Sequence, residues 1–362
     1  MSFLEKINVQ SYLKYLGGTG ARPAESMLPY LKGMDFPNAQ VLANPLLHVR
    51  LYNGNLCNLN CRYCYTDAPY TGNGDTFRSV ANEDDYYTTR LSTKLETLQV
   101  LRDEFGTKTI MMNGKGEPTI EPDFEELLSG INDLGMTPVV VTNGATLMSR
   151  GGKFWETLYN NNASIMMKMN SHHNKKLESW LFGLGEQSAR YKNIRRITET
   201  SEGRAWVQKF AADRRIAMNC VLSVHTMNSD GAESVLRHCR ENGVIPWFSW
   251  LINSGRAEDA DMAVPDNARA GLIKRIEKID SEYGYKYKLT EDMNLGCTPA
   301  MNKNFFQVTA HGRIFLTTRL GQTDDCSKRI TNNCNNCNRI NGCLADDNIR
   351  RKLREHNIRI SH

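Results

Sequence analysis

The chain has 362 residues, of which 40% are hydrophobic and 23% charged, and its formal net charge is +5. This balance is typical of a globular protein with a sizeable core, and the length suits one barrel-type domain with an appendage. The sequence contains neither an apolar run long enough to span a membrane nor a secretory signal, so we expect a cytoplasmic protein without a membrane partner.

After a leader of residues 1–45, short apolar runs alternate with helical stretches. We predict strands over 46–52, 109–112, 137–141, 164–169, 216–224 and 244–251, and helices near 9–16, 123–134, 152–159 and 232–241. This alternation is typical of a parallel sheet covered by helices. We therefore expect an α/β fold, a partial (β/α)6 TIM-type barrel over residues 46–257, with its site at the carboxyl ends of the strands. The polar segment 170–214 does not reveal its helix boundaries.

The character of the sequence changes after the barrel. Residues 258–296 indicate a linker with a helix near 267–283, and 297–349 form a small Cys-rich C-terminal extension with a hairpin at 305–317. The extension has too few apolar residues for a core of its own, so we expect bound metal to hold it together. The basic tail, 350–362, is either a solvated helix or a surface for a phosphate-bearing partner such as RNA. It lacks stacking aromatic residues, so nucleic acid is the less favoured partner.

The ten cysteines indicate metal, because most are clustered and a reducing cytosol does not favour disulfides. Cys57, Cys61 and Cys64 directly follow the first predicted strand. Three thiolates on a short loop can hold three corners of a four-iron cluster and leave the fourth iron open to a ligand. The alternative is a zinc site that lacks its fourth ligand. Cys220 and Cys239 are expected to be core residues.

The loop Cys57-Asn-Leu-Asn-Cys61-Arg-Tyr-Cys64 resembles the cluster-binding motif of the radical S-adenosylmethionine (SAM) superfamily, and the resemblance covers residues 47–257. It implies that the three cysteines ligate a 4Fe-4S cluster whose open iron takes the amino and carboxylate groups of SAM. The aromatic residue before the last cysteine, here Tyr63, would border the adenine.

Other segments at predicted strand ends resemble further elements of this superfamily. Gly116-Glu117-Pro118 is similar to the GGEP element, which implies that Gly116 and Glu117 receive the SAM ammonium, although Lys115 replaces the first glycine of the pair. The remaining positions with an implied SAM contact are Thr142, Asn143, Lys168, Asn170, Ser171, Asn219 and Arg256. Each of these alone could be ordinary turn chemistry. His172 and His173 follow as candidates for metal or substrate at the rim, or simply as polar loop residues.

The second cysteine group resembles the SPASM or twitch extension of radical SAM enzymes. Cys334, Cys337 and Cys343 are the expected ligands of one auxiliary 4Fe-4S cluster, with Cys326 or Cys297 as the fourth. The thiol left over could serve catalysis, for example as a hydrogen-atom donor. The match is partial, since two expected cysteine positions hold other residues. Two complete auxiliary clusters would need eight ligands, which five cysteines cannot supply. A structural zinc site is the alternative.

The resemblance implies reductive cleavage of SAM to a 5′-deoxyadenosyl radical that abstracts a hydrogen atom from the substrate, with a flavodoxin- or ferredoxin-type reductant. The leader is shorter than a peptide-binding domain, which favours a small molecule, such as a sugar or aminocyclitol, for oxidation, epimerisation or rearrangement. A peptide- or protein-modifying maturase is the alternative. A third hypothesis, a non-catalytic iron–sulfur or zinc protein that binds nucleic acid, leaves the SAM-like motifs unexplained.

Overall fold

The structure is a computed structural model. It describes residues 48–51, 56–65, 68, 70, 91–112, 116–251, 255–259, 261–284, 306–308, 314–316 and 355. None of the helices in these ranges has the length and apolar character needed to cross a membrane. The predicted leader helix, most of the basic tail and the five cysteines from Cys297 to Cys343 lie outside the described residues.

A single sheet organises the described part of the chain. Its strands are β1 (His48–Leu51), β2 (Thr109–Met112), β3 (Thr137–Thr142), β4 (Ser164–Lys168), β5 (Ile216–Leu222), β6 (Ile245–Trp250), β7 (Phe306–Val308) and β8 (Ile314–Leu316). The strand order is β6-β5-β4-β3-β2-β1-β7-β8. All neighbours from β6 to β7 pair in parallel, and β7 and β8 pair antiparallel.

Helices connect the parallel strands. They are α1 (Leu91–Phe105), α2 (Phe124–Asp133), α3 (Gly151–Asn160), α4 (Lys175–Leu181), α5 (Ala189–Glu199), α6 (Ser201–Ala212), α7 (Val224–Asn228), α8 (Gly231–Glu241), α9 (Arg256–Asp259) and α10 (Asp266–Glu282), with a 3-10 turn at Pro118–Ile120. Parallel strands need such crossover connections, since a tight turn cannot join them.

The two faces of the sheet differ in what they bury. In β5, Met218, Cys220 and Leu222 enter the main hydrophobic core beneath the helices. The alternating residues Asn219 and Val221 face the other side, and Val221 belongs to a smaller cluster that also contains residues of the cysteine loop. The inner face of the sheet is therefore the surface on which a site at the strand ends is built.

The structure confirms the predicted α/β class and the six parallel strands of a partial barrel. β2 has the predicted bounds, and β3, β4 and β6 differ by one residue at one or both ends. β5 ends two residues early because Ser223 forms a capping box with Thr226 and starts the short helix α7. Cys220 and Cys239 are fully buried in the main core, as expected.

The segment 170–214, whose helices were not predictable, contains α4, α5 and α6. Each begins at a side-chain cap: Asn174 accepts from the Leu177 N–H, Ser188 from the Tyr191 N–H and Thr200 from the Gly203 N–H. Such caps satisfy N–H groups that have no partner within the helix. The segment is too polar for an apolar periodicity to indicate where its helices lie. The capping residues are what marks the start of each helix.

The predicted hairpin pairs as expected, with Phe306 opposite Leu316 and Val308 opposite Ile314. Its attachment was not predicted. The pairing of Val49 with Phe306 and of Leu51 with Val308 places β7 in parallel beside β1. The hairpin thus extends the barrel sheet itself.

Candidate functional site

The cysteine loop starts where β1 approaches the carboxyl end of the sheet. Cys57, Cys61 and Cys64 are all partly buried free thiols. The Leu59 N–H donates to the Cys57 sulfur at 3.4 Å, and the Cys64 N–H donates to the Cys61 carbonyl at 3.2 Å. These local bonds fold the loop back on itself, so its thiols stay close together.

Gly116 brings the end of β2 against this loop. The Glu117 N–H donates to the Leu56 carbonyl oxygen at 2.8 Å. A Cβ atom added at Gly116 would lie 1.9 Å from that same oxygen. No side chain fits this approach, which explains the glycine at this position in physical terms.

Arg256 of α9 holds the loop from a third side. Its Nε donates to the Cys61 carbonyl at 3.0 Å, and its Nη1 donates to the Ala68 carbonyl at 3.1 Å. Its positive charge favours the thiolate form of Cys57 and Cys61. The predicted role of Arg256 in SAM binding stays a prediction. In the structure, Arg256 hydrogen-bonds to the backbone of the loop.

The electrostatics of the loop suit a cationic occupant. Burial and, to a lesser extent, the nearby Glu117 raise the pKa of Cys57 to about 12. Burial also raises the pKa of Cys61, as do the thiols of Cys57 and Cys64. Crowded, buried thiols resist ionisation unless a metal centre compensates the charge.

The chemistry of the donor set is that of three thiols on one loop. The thiolates of a four-iron cluster each bind a different iron, whereas the ligands of a zinc site surround one ion. Apolar side chains, including Leu59, Tyr63 and Phe182, pack around Cys57 and Cys61. The loop therefore offers three thiols in partly dry surroundings, as a cluster requires.

Glu117 joins the ends of β2 and β3. Its Oε1 accepts from the Thr142 hydroxyl at 2.7 Å and from the Thr119 hydroxyl at 2.5 Å, and its Oε2 accepts from the Asn143 N–H at 2.7 Å. The side chain is buried, and burial raises the pKa of Glu117 whereas these hydrogen bonds lower it. The segments that resemble GGEP and TNG thus meet at one carboxylate.

Asn143 extends this network to the cysteine loop. Its Nδ2 donates to Asn58 Oδ1 at 2.7 Å and lies 3.9 Å from the Cys57 sulfur. Its Oδ1 accepts from the Ala145 N–H at 2.9 Å. The end of β3 is therefore in direct contact with the first of the three cysteines.

The end of β4 meets the loop through Tyr63. Asn170 Nδ2 donates to the Tyr63 hydroxyl at 3.1 Å, and Asn170 Oδ1 accepts from the Val221 N–H at 3.0 Å. Ser171 lies next to it, fully buried, and its hydroxyl accepts from the Asn174 N–H at 3.1 Å. Asn170 thus ties together β4, β5 and the cysteine loop.

Lys168 and Asn219 lie side by side on the inner face, paired in register between β4 and β5. The Lys168 ammonium donates to Asn219 Oδ1, and Asn219 Nδ2 donates to the Ser249 hydroxyl at 2.8 Å and the Trp247 carbonyl at 3.1 Å. This polar row places a partly exposed cation at the inner surface of the last three parallel strands.

The structure thus brings most of the predicted SAM-site residues to one end of the sheet, and it also shows residues that the sequence did not single out. Asn58 and Glu178 are both buried members of the network. Burial raises the pKa of Glu178, whereas the bonds from the Asn170 and Ser171 N–H groups lower it and favour the carboxylate form. An acidic residue shortly after the end of β4 is the signal that could have drawn attention to Glu178.

Of the predicted rim candidates His172 and His173, the first packs against a helix. The His172 ring stacks on His238 of α8 with 4.0 Å between centroids, and His173 is exposed. The His172 N–H donates to the Ser234 hydroxyl at 3.0 Å, and Arg195 donates to the His172 carbonyl at 2.9 Å. The predicted contact of His172 and His173 with metal or substrate stays a prediction. In the structure, the contacts of His172 link α5 to α8.

This histidine pair should make the protein less stable in mild acid. Burial lowers the pKa of His172 to about 4 and that of His238 to about 3, both below the usual 6.5. As the pH falls, these histidines therefore bind protons in the unfolded chain before they do so in the folded protein. The stability that the neutral pair contributes above pH 6.5 is lost as the pH falls toward 4. Between about pH 7.5 and 5.5, the contribution of this pair to the free energy of unfolding should fall by about 1 to 2 kcal/mol, since partly exposed His172 contributes less than its full share.

Urea titrations of anaerobic protein at several pH values measure this slope. The variant His238→Phe keeps an aromatic ring against His172 but cannot be protonated, so it should lose a large part of the pH dependence. An identical slope in wild type and variant would contradict the assignment.

Comparisons with known proteins add to this geometry. No family model matches the chain. The sequence is 29% identical over 104 residues to a probable GTP 3',8-cyclase of Methanothermobacter thermautotrophicus, and the match covers 29% of each protein. The chain therefore matches less than a third of that curated relative's length.

Two solved structures share the fold over most of this chain. The first is Streptococcus suis SuiB bound to its precursor peptide SuiA, with a TM-score of 0.54, 13% identity and coverage of 84% of this chain and 71% of that one. The second is SuiB bound to S-adenosylmethionine, with a TM-score of 0.53, 13% identity and coverage of 84% and 63%. At this identity the likeness concerns the fold, and it agrees with the partial barrel described above.

Proposed function

We propose that this chain, whose resemblance to the radical SAM superfamily the comparisons confirm, binds a 4Fe-4S cluster through Cys57, Cys61 and Cys64 and cleaves SAM reductively. One observation carries the proposal. Hydrogen bonds join the cysteine loop to the end of β3 through Asn143, to the end of β2 through Glu117, and to the end of β4 through Tyr63 and Asn170. Four chain segments that resemble parts of one cofactor site therefore form one continuous surface.

The three thiolates hold the cluster, which when bound supplies the electron that splits SAM into methionine and a 5′-deoxyadenosyl radical. Glu117 provides a carboxylate for the SAM ammonium, because its Oε2 accepts a single hydrogen bond in the structure and has a further lone pair. A charge-assisted bond in this buried position orients the amino acid part of SAM.

The other residues of the surface bind the remaining parts of SAM. Tyr63 borders the adenine, and Gly116 lets the backbone at the end of β2 approach the amino group. Thr142 and Asn143 lie near the ribose, and Lys168, Asn170 and Ser171 bind the ribose and carboxylate. Asn219 and Arg256 are further proposed SAM-site residues. The Lys168 ammonium suits an anionic group of SAM, and Asn219 fixes its direction.

Anaerobic reconstitution with iron and sulfide, followed by reduction in the presence of SAM, tests the proposal. We expect 5′-deoxyadenosine and methionine as products, and an electron paramagnetic resonance signal of the reduced cluster that changes when SAM is added. Protein that binds zinc in the loop, or that never forms 5′-deoxyadenosine even with candidate substrates, would overturn the proposal and favour a non-catalytic metal protein.

We also propose one auxiliary 4Fe-4S cluster in a SPASM- or twitch-like extension. Its ligands are Cys334, Cys337 and Cys343 with either Cys326 or Cys297, and the remaining thiol is available to the substrate, for example as a hydrogen-atom donor. Two four-iron clusters require about eight irons per chain and the loop cluster alone about four, so an iron count separates the two cases.

The proposed substrate is a small molecule, such as a sugar or aminocyclitol, and the proposed reductant is a flavodoxin- or ferredoxin-type protein of the cytoplasm. The alternative is a peptide or protein substrate, since SuiB, which shares the fold, is described with a precursor peptide. Incubation with deuterated candidates of both classes decides between them, because deuterium appears in 5′-deoxyadenosine only when the radical takes it from the true substrate.

A further inference from the structure

Glu178 of α4 has a buried carboxylate that binds the backbone where β4 ends. Its exposure is 1%. The Asn170 N–H donates to both carboxylate oxygens, at 3.0 and 2.9 Å, and the Ser171 N–H donates to Oε2 at 2.7 Å. Buried N–H groups need an acceptor, and this carboxylate serves two of them at once.

These bonds fix the direction in which the Asn170 side chain leaves the strand. The same side chain donates to the Tyr63 hydroxyl and accepts from the Val221 N–H. A shift of the Asn170 backbone would therefore move a contact with the cysteine loop, because Tyr63 lies between Cys61 and Cys64 in the sequence.

The end of α4 holds the same loop by separate contacts. The Arg62 N–H donates to the Leu181 carbonyl at 2.9 Å, and the Phe182 ring packs against Tyr63 with 6.4 Å between centroids. Gly183, with a φ of +67°, lies so close to Asn60 that a Cβ atom would be 2.0 Å from its carbonyl oxygen. Glu178 and the loop are thus attached to the same short helix.

We propose that Glu178 is a positioning residue for the SAM site: by holding the backbone of Asn170 and Ser171, it keeps Tyr63 and the end of β4 in the geometry that binds SAM next to the cluster. The inference depends on the proposed function and assigns Glu178 no contact with SAM or iron. Such a residue affects cofactor binding indirectly, because its hydrogen bonds hold the groups that contact the cofactor.

The test compares Glu178→Gln with wild type, using cluster-loaded protein. Glutamine keeps the size of the side chain but replaces one acceptor oxygen by an amide group that cannot accept from Asn170 or Ser171. We expect an unchanged iron content, an apparent KM for SAM that rises by about tenfold to a hundredfold at similar kcat, and a weakened SAM-dependent change in the cluster's electron paramagnetic resonance signal.

The matched control is Glu186→Gln, which makes the same chemical change at an exposed position between α4 and α5. It should leave KM, kcat and the spectrum unchanged. Full iron together with a wild-type KM and spectrum in Glu178→Gln would overturn the inference. If wild type itself neither binds nor cleaves SAM, the proposed function fails instead, so the two failures are distinguishable.

A second variant covers the case in which Glu178→Gln fails to fold. Tyr63→Phe keeps the ring beside the loop and removes the hydroxyl that accepts from Asn170, so no buried carboxylate is disturbed. It should weaken SAM binding with iron retained, and an unchanged KM in Tyr63→Phe would overturn the proposed route through Asn170. Where both single variants fold, their combined effect on KM should be smaller than the product of the two, because they act on one chain of contacts.

Discussion

Replacing Cys61 by alanine should abolish both cluster binding and SAM cleavage. Cys61 is the middle cysteine of the loop, and its backbone carbonyl accepts from Arg256 and from the Cys64 N–H. The backbone contacts survive in Cys61→Ala, so the change removes a ligand and leaves the fold of the loop. Loss of a residue that hydrogen-bonds a metal ligand lowers metal affinity or activity by about 10- to 100-fold. Loss of a ligand itself should therefore reduce 5′-deoxyadenosine formation by at least about 100-fold.

The control for this prediction is Cys239→Ala. Cys239 is fully buried in the main core on α8, and burial raises the pKa of its thiol. The change should cost about 1 kcal/mol of stability through lost packing and leave the loop cluster in place. Iron and 5′-deoxyadenosine are measured in both variants after the same reconstitution. Equal losses in the two would show that cysteine number, and not the loop, determines cluster binding.

Replacing Gly116 by alanine should separate the end of β2 from the cysteine loop. The new methyl group would lie 1.9 Å from the Leu56 carbonyl oxygen, 2.6 Å from its carbon and 2.7 Å from the Leu56 nitrogen. These are backbone atoms on both sides, so no side chain can rotate away. Overpacking together with loss of the hydrogen bond from the Glu117 N–H should lower the free energy of unfolding by about 2 to 4 kcal/mol. The variant should also bind less iron, because the displaced backbone carries Cys57.

Gly271→Ala is the matched control for this change. Gly271 lies within α10, and a Cβ atom there would meet nothing within 4 Å. Alanine in a helix interior is favoured over glycine, so stability should rise by about 0.5 to 1 kcal/mol with iron content unchanged. Urea titrations and iron analysis of the two variants check the pair. A Gly116→Ala protein as stable and as iron-rich as wild type would show that the backbone can shift without cost.

Local signals predicted much of the fold. β2 and the helix α8 follow from apolar runs and amphipathic periodicity, and their observed bounds agree with the prediction to within one residue. Helix α5 could not be predicted in this way, since its sequence, Ala-Arg-Tyr-Lys-Asn-Ile-Arg-Arg-Ile-Thr-Glu, is dominated by polar residues. The pairing of β7 with β1 joins residues far apart in the chain, and no local pattern encodes it.

The candidate site was predictable where a motif marks it. The three cysteines, Glu117 and Asn143 stand in short segments with a recognisable pattern, and the structure places Asn143 against both Glu117 and Cys57. Glu178 belongs to no such segment, because its role depends on which backbone N–H groups the tertiary fold brings to it. The auxiliary cluster stays a prediction, since the cysteines from Cys297 to Cys343 lie outside the described residues.

The position of β1 between β2 and β7 has a consequence for shortened forms of the protein. β1 is hydrogen-bonded along both sides, and it leads directly into the cysteine loop. A truncation before Phe306 would remove β7 and turn β1 into an edge strand with unpaired N–H and C=O groups. Such edges recruit other chains, so the isolated barrel should be prone to aggregation beside its own cofactor loop.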